Sequence, residues 1–122
     1  MAAKHKPVRP PEAYLPLQPA TFHILLALVG AERHGYAIMK EVAERSQGAV
    51  TLGPGTLYGA VKRLLDAKLV EEGGERADAG NERRRYYRLT NLGLSVARAE
   101  ARRLDALVRA ARRKKLIGVS TA

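Results

Sequence analysis

The side chains of this sequence that could do chemistry are its cations and a few tyrosines. Twenty-two Lys and Arg stand against twelve Asp and Glu, a formal charge of +10 at pH 7. Such an excess attracts polyanions through counterion release, and nucleic acid heads the candidates. Covalent and metal chemistry have little to work with. The chain has no cysteine, which excludes a disulfide framework, a thiol nucleophile and a thiolate zinc site. His5, His23 and His34 are scattered, and no carboxylate pair, nucleophile motif or Gly-Lys-Ser/Thr phosphate loop occurs. Gly53, Gly55 and Gly59 miss the dinucleotide-binding spacing by one. The pattern is that of a non-enzyme needing neither cofactor nor metal.

Two clusters of residues are suited to DNA. Thr56, Tyr58, Gly59, Lys62 and Arg63 share the polar face of a short amphipathic helix, short and polar at its start and basic at its end. Set into a major groove, such a face reaches base edges first and flanking phosphates one turn later. Arg83, Arg84 and Arg85, with Arg76, Asn81 and Tyr86 nearby, form a second cluster on a hairpin, where cations touch phosphates or the minor groove. On strand alternation Tyr87 and Leu89 face the core, leaving Tyr86 and Arg88 on the other side. Lys4, Lys6 and Arg9 could follow a minor groove from an N-terminal arm. The run from Arg112 to Lys115 suits a helix C-terminus, where the macrodipole favours cations.

These clusters need elements to position them. Most prolines lie between Pro7 and Pro19, so residues 1–16 are expected as a flexible basic arm. Phe22, Leu25, Leu26 and Val29 then recur at helical spacing up to Gly30, and Ile38, Met39, Val42 and Ala43 mark a second helix after His34-Gly35. Gly53-Pro54 announces a third, with Leu57, Ala60, Val61, Leu64 and Leu65 as its buried stripe. Leu69 to Glu72 and Arg84 to Thr90 read as strands around a Gly-, Asp- and Asn-rich loop. Thr90 caps a last helix in which Leu94, Ala97, Ala101, Leu104, Val108 and Ala111 alternate spacings of three and four, a seam for the same helix of a second chain. The fold class is thus mainly α with a small β-hairpin. A winged helix-turn-helix over residues 17–90 is followed by a C-terminal dimerisation helix over 91–115 and a tail over 116–122.

Gly55-Thr56-Leu57-Tyr58, followed by Leu64-Leu65 and Leu69-Val70, resembles the recognition-helix signature of PadR-like regulators. His34-Gly35-Tyr36 looks like the start of that family's second helix, and Arg85-Tyr86-Tyr87-Arg88-Leu89-Thr90 with Gly93 resembles its second wing strand and the cap of its last helix. The resemblance implies a dimeric repressor on a palindromic promoter site, of the small subfamily with one C-terminal helix. Two departures stand out: Gly59 where proline is common, and Gly53 where a side chain often caps the helix. Some members hold flat aromatic drugs between tryptophans. This chain has no Trp and one Phe, so Tyr14, Phe22 and Tyr36 are taken as core and no effector is assigned.

The expected partners are therefore double-stranded DNA and a second copy of the chain. No apolar run is long enough to span a membrane and the proline-broken start is no signal peptide, so a cytoplasmic location is expected. Competing readings are an RNA-associated winged helix, for which Tyr58 and Tyr86 are the stacking candidates, and a protein-interaction module using the seam.

Overall fold

The computed structural model describes residues 9–77, 80 and 82–118. Helix α1, Pro19–Ala27, begins with proline at its first turn and buries Ile24, Leu25 and Ala27. Strand β1, Arg33–His34, leads into α2, Gly35–Arg45, whose first turn is capped by His34: Nδ1 accepts from the Ala37 N–H at 3.2 Å. Ile38 and Val42 give α2 its buried side. The chain then turns through Ser46, whose hydroxyl accepts from the Val50 N–H at 2.9 Å.

Helix α3, Pro54–Asp66, starts after Gly53 with proline at its first turn and no side-chain cap, as its Gly-Pro signal predicts. Leu57, Ala60, Val61 and Leu64 are buried. Strands β2, Val70–Ala77, and β3, Arg83–Leu89, pair antiparallel with Val70 opposite Leu89. Their ladder shifts register between Glu72 and Gly74. Gly74, at φ +98°, takes the left-handed conformation that lets the strand continue past this bulge. The sequence pattern ends this strand at Glu72, whereas the bulge carries β2 on to Ala77. Strand β1 pairs with the other edge of β3, Arg33 opposite Tyr87, so the sheet has the order β1-β3-β2.

Helix α4, Asn91–Arg113, is capped by Thr90, whose hydroxyl accepts from the Gly93 N–H at 2.9 Å and donates to the Lys68 carbonyl at 2.6 Å. It packs on α1 and β3, and its Val96 and Ala97 join one core with the apolar faces of α1, α2 and α3 and with Tyr87. The described part of the proline-rich segment differs from the flexible arm expected of it. Pro11–Tyr14 forms a 3-10 turn packed against α4, and Tyr14, Leu15 and Leu17 lean on the core. Proline forbids a long helix there but suits a single tight turn, and the apolar residues that follow supply the packing. Lys4 and Lys6 lie outside the described residues. Among those described, no helix is long and apolar enough to cross a membrane.

Candidate nucleic-acid interface

The polar side of α3 follows from what its other side buries. With Leu57, Ala60, Val61 and Leu64 turned inward, Thr56, Tyr58, Lys62 and Arg63 are exposed and Gly59 is half-buried. Arg63 makes no ion pair among the described residues, and Lys62 has only a loose one, 3.7 Å to Asp66. Tyr58 lies across the start of α2. A side chain at Gly35 would overlap its hydroxyl, so the absence of a Cβ there sets how closely the two helices approach.

The wing is less simply cationic than its arginines suggest. Arg76 and Arg88 both reach Glu32, at 2.8 and 3.0 Å, and Arg88 also reaches Glu71 at 2.8 Å. Arg85 sits between Glu72 and Glu75 at 3.2 and 3.3 Å, Arg83 is 3.7 Å from Glu75, and Arg84 is 3.5 Å from Glu82. Hydrogen bonds from Arg76 and Arg88 hold the Glu32 carboxyl below its ordinary range. The hydrogen bonds that Arg85 donates to Glu75 and Arg88 to Glu71 raise the two guanidinium groups in turn. Solvent-screened pairs of this kind hold their partners weakly, so a phosphate can replace a carboxylate as partner at little cost. Asn81 lies outside the described residues.

Strand alternation works as expected on β3. Tyr87 is buried and Leu89 packs on the core, while Arg88 is exposed and Tyr86 half-buried. Burial pushes the Tyr87 hydroxyl up from its ordinary value, in keeping with a structural role. Tyr86 stacks edge-on against His34 with ring centroids 5.3 Å apart and carries Arg76 3.8 Å above its own ring. Arg84 lies 5.5 Å from the centre of the Tyr36 ring. The start of α2 therefore joins α3 to the wing: Gly35 meets Tyr58, and His34 and Tyr36 meet Tyr86 and Arg84. Tyr36, taken from sequence as core, is 57% exposed. Its place outside the stripe of Ile38, Met39 and Val42 was the available signal.

The seam residues on α4 divide into two groups. Ala97 is buried in the core of its own chain, and Leu94 lines a hollow with Leu28 and Leu89. Ala101 is exposed, Leu104 and Ala111 are half-buried, and Val108 is exposed beside Leu107, itself 56% exposed. Between the groups, Glu100 is 2% exposed and accepts from the Leu17 N–H at 3.0 Å and from Arg103 Nη2 at 2.9 Å. These bonds, Arg103 first, hold its carboxyl below the ordinary range despite burial. Among the described residues no cluster of His, Asp and Glu could hold a metal.

Comparison with known proteins adds to this geometry. Residues 24–99 match the model of the transcriptional regulator PadR-like family. An uncharacterised protein of Lysinibacillus sphaericus is 34% identical over 71 residues, 57% of this chain and 63% of that protein, less than two thirds of its length. A PadR family transcription regulator of Clostridium difficile superposes with a TM-score of 0.68 at 26% identity, over 79% of this chain and 97% of that one. A PadR-like regulator of Bacillus cereus shares the fold at a TM-score of 0.65 and 22% identity, over 81% and 92% of the two chains. So does Bacillus subtilis PadR in complex with operator DNA, at 0.57 and 20%, over 73% of this chain and 48% of that one.

Proposed function

The chain belongs to the PadR-like family of transcriptional regulators, and from that premise we propose that it is a cytoplasmic homodimeric repressor reading a palindromic promoter site. Helix α3 reads base edges through Thr56, Tyr58, Gly59, Lys62 and Arg63. The wing holds the adjoining phosphates through Arg76, Asn81, Arg83, Arg84, Arg85 and Tyr86. The observation that carries this reading is the adjacency of the exposed side of α3, with Tyr58 and Arg63, to the start of α2, where Tyr58 abuts Gly35 and the exposed Tyr36 meets the half-buried Arg84 of the wing. A helix with a polar outer side, flanked by cations whose present partners are weak, has what groove insertion asks for. The operator complex of Bacillus subtilis PadR supports carrying DNA over as the partner. A dimer presents two copies of α3, so its site is two-fold symmetric, and a site overlapping a promoter makes the bound protein a repressor. No catalytic role is assigned.

The test is fluorescence anisotropy of the purified chain with the duplex upstream of its own gene against a shuffled duplex, across a salt series. A preference of about a thousandfold or more at physiological salt is expected of a specific regulator. Equal binding to the two duplexes would overturn an operator at that position. Absence of binding at every salt concentration would overturn the DNA reading and favour an interaction module.

A further inference from the structure

Charge is unevenly placed along this chain. Residues 9–90, which hold α1 to α3 and the wing, carry twelve Lys and Arg against ten Asp and Glu. Residues 91–118 carry eight against two, and so contribute +6 of the formal +10. The element that reads no bases holds most of the surplus.

Helix electrostatics does not account for this. The macrodipole favours cations in the last turn, where Arg112 and Arg113 stand. Arg98 and Arg102 are in the first half of α4 and one turn apart, a spacing at which like charges destabilise a helix. Both are exposed, and neither makes an ion pair among the described residues. Arg109 is exposed as well, with Asp105 at 3.3 Å. At about 100° per residue, Arg98, Arg102 and Arg109 fall within about 40° of one another and span about 17 Å, while Leu107 points about 180° away from Arg98. Where Arg98 and Arg102 adjoin the 3-10 turn, a polar hollow of about 200 Å³ is lined by these two arginines with Pro11, Glu12 and Ser95.

We infer that this outward face of α4 is a second, sequence-independent DNA-binding surface, engaging duplex phosphates through Arg98, Arg102 and Arg109. The inference rests on the reading that the protein works on DNA. The inference includes that this duplex extends beyond the segment under α3: the first turn of α4 shares a hollow with Lys62 of α3, and Arg98, Arg102 and Arg109 follow about 10 to 27 Å further along the helix axis from Asn91. The chemistry of the face selects the partner. Asn91, Ser95, Asp105 and Arg113 share it and no apolar side chain of α4 does, Leu94 falling about 20° beyond its edge in the hollow with Leu28 and Leu89. A membrane-surface helix buries an apolar side in lipid, and protein interfaces centre on apolar or aromatic anchors. A row of guanidinium groups without either is suited to phosphate, which arginine binds bidentately. The apolar side bearing Leu107 stays free for a second chain.

The test compares the full chain with its Arg98→Gln/Arg102→Gln/Arg109→Gln variant on a random-sequence duplex of about 30 base pairs, by anisotropy across a salt series. At about 0.9 per phosphate contact, the variant's slope of log affinity against log salt should be shallower by about 2.7. Replacing the same three residues by lysine should largely restore it. Equal slopes for wild type and the glutamine variant would overturn the inference while leaving the operator reading intact. A wild type with no duplex affinity would overturn both. Vesicles containing phosphatidylserine provide the remaining arm: wild-type binding lost in the glutamine variant, with equal duplex slopes, would assign the face to a membrane and overturn the inference.

Discussion

A methyl group at position 93 would occupy the space of the Leu69 carbonyl, against which the first turn of α4 is laid. The neighbour is backbone held by the Thr90 N–H at 3.1 Å and cannot step aside as a flexible side chain could. Gly93→Ala should therefore lower stability by about 3 kcal/mol, the upper end of overpacking costs, seen as a lower urea midpoint. Gly59 is the opposite case. A Cβ there meets only Arg63 Nη1, at an ordinary 3.7 Å, and alanine in a helix interior is worth about 1 kcal/mol over glycine. Gly59→Ala should raise stability by that amount, seen as a higher urea midpoint. The proposed division between α3 reading bases and the wing holding phosphates makes their variants differ. Arg63→Ala and Tyr58→Ala should narrow the ratio of specific to random duplex affinity. Arg84→Ala should weaken both alike and make the salt slope shallower by about one. Unchanged discrimination in the helix variants would remove α3 from base reading.

Among the elements, the joint between the proline-rich segment and α4 hangs on one carboxylate. Glu100 is buried, binds the Leu17 N–H and Arg103, and has its carboxyl held below the usual range. A depressed folded-state value gives stability that is present in full above the ordinary carboxylate range and is lost as pH falls through the lowered one. Glu100→Gln should cost about 2 kcal/mol at neutral pH and flatten the acid limb of stability against pH; a parallel acid limb would mean that other carboxylates set it. This joint was not legible in the sequence, because it links residues 17 and 100 and no local pattern marks it. What local chemistry determines was legible: Gly53-Pro54 starts α3, Thr90 caps α4, and alternation turns Tyr87 inward. The same limit explains the rest. Strand β1 is two residues long and exists only by pairing with β3, and Glu32 meets Arg76 of β2 and Arg88 of β3 only once the hairpin has folded over the turn after α1. Tyr36 was misplaced because aromatic character alone suggests burial, whereas the helical stripe of α2 leaves it outside.

At the scale of the whole molecule, the second half of α4 has apolar surface that no described residue covers. The helix has 23 residues, about 34 Å at 1.5 Å per residue. Its buried positions end at Glu100, and Leu107 and Val108 are exposed beyond them. Apolar area left in water favours association by about 25 cal/mol per Å² once covered, and in the proposed dimer the same helix of a second chain would cover it symmetrically. Leu104→Asp puts a charge on that seam and should give monomers in sedimentation. Leu104 also lines a hollow with Phe22 and Leu17 of its own chain, so the aspartate could act by disturbing the protomer. Leu107→Asp separates the two effects, because that side chain is already more than half exposed in the single chain. If both variants are monomers and Leu107→Asp melts as the wild type does at matched subunit concentration below the dimer's dissociation range, the seam is the dimer interface. A monomer holds one copy of α3 and engages one half-site, so its specific affinity should fall far more than its affinity for random duplex. Two variants that stay dimeric would move the interface off α4, and the two-fold operator would then have to be matched to a different arrangement of the wings.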